Sequence, residues 1–229
     1  MMNIYTRRIL AAYLASATIS LTAGVSEAAL PKAEAFPVQL VENILDEVEG
    51  DDMDVNEKAR AILAIANDKR TDVRVRVCDF LAVELERLPL SYTEQIFEKL
   101  AEDPELVVRR QLGRAVFKAL DSASVLNRTR MVTHWALSDV SAVRRIAANA
   151  LQQDLFCLGG SAVANHLADD EDVCVRAAVV SMVKSRHHEN PAHYGPVLEK
   201  LTRDAEPAVR EAATRLYNKM VRENASGVN

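Results

Sequence analysis

The sequence predicts an all-α protein assembled as a solenoid of about five stacked helix pairs, preceded by one capping helix. Three observations carry this. First, an aspartate followed by a valine-containing run and an arginine recurs five times, at Asp68/Arg74, Asp103/Arg109, Asp139/Arg144, Asp170/Arg176 and Asp204/Arg210. The arginines are 35, 35, 32 and 34 residues apart, a period that belongs to stacked small units rather than to one globular core. Second, apolar residues in the second segment of each repeat follow helical spacing, as in Val108, Leu112, Ala115, Val116, Ala119 and Leu120, or Val209, Ala213, Leu216, Tyr217, Met220 and Val221. Third, 49% of the residues are hydrophobic but only 5% are aromatic, with seven glycines and seven prolines in 229 residues. That composition suits close helix packing and short turns, and nothing alternates with the period of a strand.

Taken in order, residues 1–28 read as a secretory signal peptide. Arg7 and Arg8 precede an uncharged apolar stretch from Ile9 to Val25, and Ser26-Glu27-Ala28 ends in small residues that suit cleavage after Ala28. The run Thr6-Arg7-Arg8-Ile9-Leu10 also loosely matches a twin-arginine signal. The alternative is an N-terminal apolar helix that caps the array or anchors it to a membrane. Residues 29–35 read as a linker, and residues 36–222 as the solenoid. Phe36–Glu49 forms its capping helix, with Val38, Val41, Ile44, Leu45 and Val48 on one side. Five pairs follow: Val55–Ala66 with Thr71–Leu88, Tyr92–Ala101 with Pro104–Leu120, Val125–Leu137 with Ser141–Leu155, Ala162–Leu167 with Asp172–Lys184, and Tyr194–Leu201 with Pro207–Arg222. Asp72, Ser91 and Asp172 are expected N-caps. Pro104 and Pro207 sit near helix starts, where a missing N–H costs nothing. Residues 223–229 form a polar tail.

Net charge is −5, or −6 once residues 1–28 are removed, which argues against a general nucleic-acid binder. Of the three cysteines, Cys78 and Cys174 fall on apolar helix positions and read as small buried hydrophobes, while Cys157 lies in a turn. A Cys157–Cys174 bridge is open in an oxidising compartment. The aspartate–arginine echo reads as a structural ladder, each guanidinium bridging carboxylates and carbonyls of its own layer and the next.

The turn aspartate six residues before an arginine preceded by valine, on paired helices of this period, resembles HEAT repeats. Four repeats keep the six-residue gap, and Asp139/Arg144 departs with five. The resemblance covers Val55 to Arg222. It implies a right-handed α-α superhelix whose second helices line the inner surface. HEAT-like arrays serve as scaffolds, as bilin lyases of phycobiliproteins, and as some DNA glycosylases, so fold alone does not choose among them.

No nucleophile, phosphate-loop or dinucleotide motif occurs, and no catalytic residue is assigned. His187, His188, Glu189 and His193 match no zinc spacing. The lone His188-Glu189 pair does not reproduce the repeated His-Glu pairs that deoxyhypusine hydroxylase, another HEAT-like protein, uses for iron. Asp46, Glu47, Glu49, Asp51, Asp52 and Asp54 form an acidic cluster without EF-hand spacing and read as solvated capping acids. No metal or cofactor is expected. Trp135, the sole tryptophan, reads as core.

Arg110, Arg114 and Lys118 lie at i, i+4 and i+8 and form a basic stripe, with Arg145, Asn149, Lys184 and Arg215 in corresponding rows of other repeats. These seven residues are the expected contact row for another protein with an acidic surface. The leading expectation is a non-catalytic protein–protein interaction scaffold, periplasmic or secreted if the signal operates. The alternatives are a bilin-lyase-like chromophore chaperone and, behind it, a DNA-binding HEAT-like enzyme in the cytoplasm. A nucleic-acid partner is disfavoured, as is a membrane span after signal removal.

Overall fold

The computed structural model of the chain describes residues 44, 48, 53–152, 160–186 and 191–225. The signal, the linker and most of the capping helix lie outside the described residues, although Ile44 and Val48 are helical and buried. Ten α-helices and no strand occur among the described residues. They are α1 (Val55–Ile65), α2 (Thr71–Glu84), α3 (Leu90–Ala101), α4 (Leu106–Ser122), α5 (Val125–Ala136), α6 (Ser141–Ala150), α7 (Gly160–Leu167), α8 (Val173–Arg186), α9 (Pro191–Leu201) and α10 (Pro207–Ala225). The fold class is all-α and built from repeated helix pairs. The chain divides into two compact units, Met1–Ala119 and Leu120–Asn229, which are described separately below.

In the first unit α1 packs on both α2 and α3. Asp54 begins α1 by accepting the backbone N–H groups of Asn56 at 2.8 Å and Glu57 at 3.4 Å, so one residue of the acidic cluster is a cap. Ile62, Ile65, Val77, Leu81, Ile96, Phe97 and Leu100 are fully buried. Polar contacts stitch neighbouring helices: Arg60 Nε donates to Tyr92 Oη at 3.0 Å, and Gln111 Nε2 to Asp79 Oδ1 at 2.5 Å. Buried Cys78 donates its thiol to the Val108 carbonyl at 3.8 Å.

In the second unit the helices form two rows. First helices follow one another, α5 on α7 and α7 on α9. Second helices do the same, α6 on α8 and α8 on α10. Within pairs, α5 packs on α6, α7 on α8 and α9 on α10. This is the nearest-neighbour packing that a repeat period demands, because each pair covers the apolar side of the next. Fully buried Trp135 anchors α5, and Ser124 caps that helix by accepting the Asn127 N–H at 3.2 Å. Gly195 faces α10, where a Cβ would make an ordinary contact of 3.4 Å with Met220 Cε.

Several boundaries differ from the sequence expectation. Ser91 lies inside the first turn of α3, and the cap position belongs to Pro89, which makes no side-chain cap bond. Asp72 lies inside the first turn of α2. Asp172 does precede α8 and accepts the Cys174 N–H at 2.7 Å. Helix α4 begins at Leu106, two residues beyond Pro104, and α9 begins at Pro191 and runs through Pro196. No helix among the described residues is long and apolar enough to cross a membrane.

Candidate functional site

The turns between paired helices carry one repeated device. A side-chain oxygen accepts the N–H two residues ahead: Asp68 from Arg70 at 2.9 Å, Asp103 from Glu105 at 2.9 Å, Asp170 from Asp172 at 2.8 Å and Asp204 from Glu206 at 2.8 Å. The short carboxylate thereby closes a turn that leads into the second helix. Six residues later an arginine returns Nη1 to the carbonyl of the same residue: Arg74 to Asp68 at 2.7 Å, Arg176 to Asp170 at 2.7 Å, and likewise Arg109 to Asp103 and Arg210 to Asp204.

The third turn differs from expectation. Asp139 is exposed, and buried Ser138 holds the turn position, its hydroxyl accepting the Val140 N–H at 3.1 Å. Arg144 Nη1 then reaches Ser138 O at 2.9 Å and Asp139 O at 3.0 Å. The six-residue gap is therefore kept through Ser138, and the carboxylate of Asp139 is not the ladder group. A serine hydroxyl can close the turn as an aspartate carboxylate does.

Three arginines also grip the aspartate of the next turn with two parallel bonds. Arg74 Nε and Nη2 lie 2.5 and 3.0 Å from Asp103, Arg144 lies 2.6 and 2.9 Å from Asp170, and Arg176 lies 2.7 and 2.9 Å from Asp204. These hydrogen bonds raise the pKa of each guanidinium above its ordinary value. In return, the Arg176 guanidinium holds the Asp204 carboxyl below the usual carboxylate range. These guanidiniums are largely covered and each is bonded both to its own turn and to the next aspartate.

The exposed surface of the second helices is different. In the first unit Arg110, Arg114 and Lys118 all project from α4 into solvent. Neither Arg110 nor Arg114 forms an ion pair or side-chain hydrogen bond with a described residue. In the second unit Asn149, Lys184 and Arg215 are exposed on α6, α8 and α10, and Arg145 on α6 is half-buried. Arg215 pairs within its own helix with Glu211 at 3.7 Å. Asn149 accepts from Gln152 Nε2 at 3.3 Å. Arg145 lies near Asp172, whose carboxyl is held low first by the Ser141 hydroxyl and then by the Cys174 N–H. Of these seven residues, Arg110 and Arg114 combine full exposure with charge that no described residue neutralises; elsewhere Lys69, Lys99 and Arg130 do the same.

Exposed apolar side chains accompany this row and were not anticipated as part of it. On α4, Leu106 is 49%, Val107 52% and Phe117 57% exposed. Helical spacing puts them beside the arginines and off the face of Val108, Leu112, Ala115, Val116, Ala119 and Leu120.

Among the described residues no group of three or more His, Cys, Asp or Glu side chains is placed to hold a metal ion. The side chains of His187, His188, Glu189 and His193 lie outside the described residues, as does Cys157 and hence its pairing. Cys78 is buried, but Cys174 is exposed at the start of α8, contrary to its expected burial. Cys174 lies in the first turn of α8, one residue before fully buried Val175.

No family model matches the chain, and no curated protein matches it. Among solved structures, the crystal structure of Cex1p is similar over 100% of this chain and 46% of its own length, at 14% identity and a TM-score of 0.49. This chain therefore spans less than half the length of Cex1p. An engineered protein solved by a structural genomics consortium is similar over 80% of this chain and 90% of its own, at 15% identity and a TM-score of 0.36.

Proposed function

We propose that the chain is a non-catalytic interaction scaffold of HEAT-like repeats, whose second-helix surfaces contact an acidic protein. The observation that carries this reading is the contrast between adjacent arginines. Arg109 closes its own turn, donating to the carbonyls of Asp103 and Pro104. Arg110 and Arg114, one turn apart on α4, are exposed and without an ionic partner among the described residues. An exposed cation with no internal work steers acidic partners more than it stabilises a fold. Lys118, Arg145, Asn149, Lys184 and Arg215 extend the proposed contact residues. Export through residues 1–28 belongs to the same proposal and would give the scaffold a periplasmic or extracellular partner.

The test uses two charge-reversed chains crosslinked in the native host. One carries Arg110→Glu, Arg114→Glu and Lys118→Glu; the other carries Lys184→Glu and Arg215→Glu. Loss of the same crosslinked protein from either chain, with helicity kept by circular dichroism, is the expected result. Full capture by both would remove these surfaces from the contact.

A further inference from the structure

Helix α4 contains a glycine that its fold does not require. Gly113 lies in the middle of the helix, where glycine weakens helix formation relative to alanine. A Cβ built at this position meets nothing within 4 Å, and the residue is exposed. Neither a close helix crossing nor a left-handed backbone explains the missing side chain. A bare glycine on an exposed helix face leaves room for another backbone to approach closely.

The surroundings describe what approaches. Leu106, Arg110, Gly113 and Phe117 are spaced i, i+4, i+7 and i+11, which places them in one line along the helix. The line is roughly 16 Å long at helical rise. Its ends are apolar, with Leu106 49% and Phe117 57% exposed and Val107 beside the first. Its middle is cationic, with Arg110 and Arg114 beside the bare backbone of Gly113 and unpaired with any described residue. The helix carries four basic side chains and one acidic one in a chain of net charge −5.

We infer that this face of α4 docks a short acidic peptide segment whose backbone lies over Gly113. Its carboxylates pair with Arg110 and Arg114, and its flanking bulky apolar side chains cover Leu106 and Val107 at one end and Phe117 at the other. Charge complementarity selects the acidic centre, and the apolar ends favour a peptide over a nucleic acid, whose phosphates would leave Leu106 and Val107 uncovered. About five extended residues span the line. The inference rests on the scaffold reading and names the partner chemistry of one of its surfaces.

The test is selection of displayed peptides of about twelve random residues on the full chain, with oligouridine RNA as a parallel probe. The expected winners carry at least two acidic residues beside large apolar ones. Their affinity drops about tenfold for Arg110→Ala or Arg114→Ala, since each removes a charge-assisted bond. Gly113→Gln weakens them by a similar factor. Gly113→Ala separates binding from folding: it raises the melting temperature while it weakens the peptide. No enrichment, winners that bind all these variants equally, or RNA binding in place of peptides would overturn the inference. If it fails while Lys184→Glu with Arg215→Glu still abolishes capture in the host, the scaffold reading stands and only the α4 site is lost. If that capture also survives in both charge-reversed chains, both readings are lost.

Discussion

Arg144 and Asp170 join two neighbouring helix pairs through parallel bonds, Nε to Oδ2 at 2.6 Å and Nη2 to Oδ1 at 2.9 Å. The third guanidinium nitrogen of Arg144 closes the turn behind it on the carbonyls of Ser138 and Asp139. One side chain thus sets the shape of its own turn and the distance to the next. The arginine beside it, Arg145, is half-buried and lies near the Asp172 carboxylate.

Arg144→Ala should therefore destabilise the second unit by about 1–3 kcal/mol, because it leaves a buried carboxylate and two carbonyls without their donor. Arg145→Ala should cost less than this, because no buried carboxylate is left without its paired donor. Urea unfolding of both variants is the measurement. Equal losses would show that adjacent arginines share the structural role.

Asp204 adds a pH dependence. Its hydrogen bond from Arg176 lowers its pKa below the ordinary 3.8. A carboxyl depressed in the folded state contributes stability that is fully present above the unfolded pKa. That contribution fades as pH falls below about 4 and through the folded pKa. Asp172, also depressed, acts in the same direction. The second unit should lose melting temperature on acidification through this window. Asp204→Asn should be less stable at neutral pH and show a shallower acid slope. An unchanged slope in the variant would separate Asp204 from acid unfolding.

The described cysteines should differ in reactivity. Burial pushes the Cys78 thiol up to about 12, so at neutral pH almost no thiolate is present and no reagent reaches it. Cys174 is exposed. Brief maleimide treatment of the reduced native protein, followed by peptide mapping, should label Cys174 and spare Cys78 until denaturant is added. Labelling of Cys78 in native buffer would mean that α2 opens readily from its neighbours.

Export is tested at the other end of the chain. Protein isolated from its host should begin at Ala29, and intact mass decides this. A mass that includes Met1 or Met2 would assign residues 1–28 to the mature chain and return the protein to the cytoplasm or a membrane face.

The helix pairs were legible in the sequence because a repeat states its pattern several times. A period near 34 residues and apolar spacing of three and four are properties of the backbone and of water, and they survive changes in individual residues. The arginines of the ladder were legible for the same reason. Helix ends were less so: Ser91 resembles a cap, yet Pro89 precedes the helix and α3 begins one residue before the serine. A cap depends on where the preceding turn releases the chain, which is a tertiary matter. Ser138 shows the same limit. Residue type pointed to Asp139, but only the turn's backbone decides which oxygen faces the next N–H, and the smaller hydroxyl faces it at 3.1 Å.

Surface chemistry was the least legible. Arg109 and Arg110 are the same residue type at adjacent positions, yet one bonds two carbonyls and the other stands in solvent. The roughly 100° rotation between successive helical residues separates them, and the packing of α4 decides which direction is inward. Likewise Leu106, Val107 and Phe117 carry the composition of a core and occupy the surface. The sequence by itself determined that helices form and repeat, since local spacing and burial of apolar area suffice. Only the tertiary structure decided which arginines are structural, which apolar side chains stay exposed and why Gly113 has open space before it, because each depends on where neighbouring helices stop covering the surface.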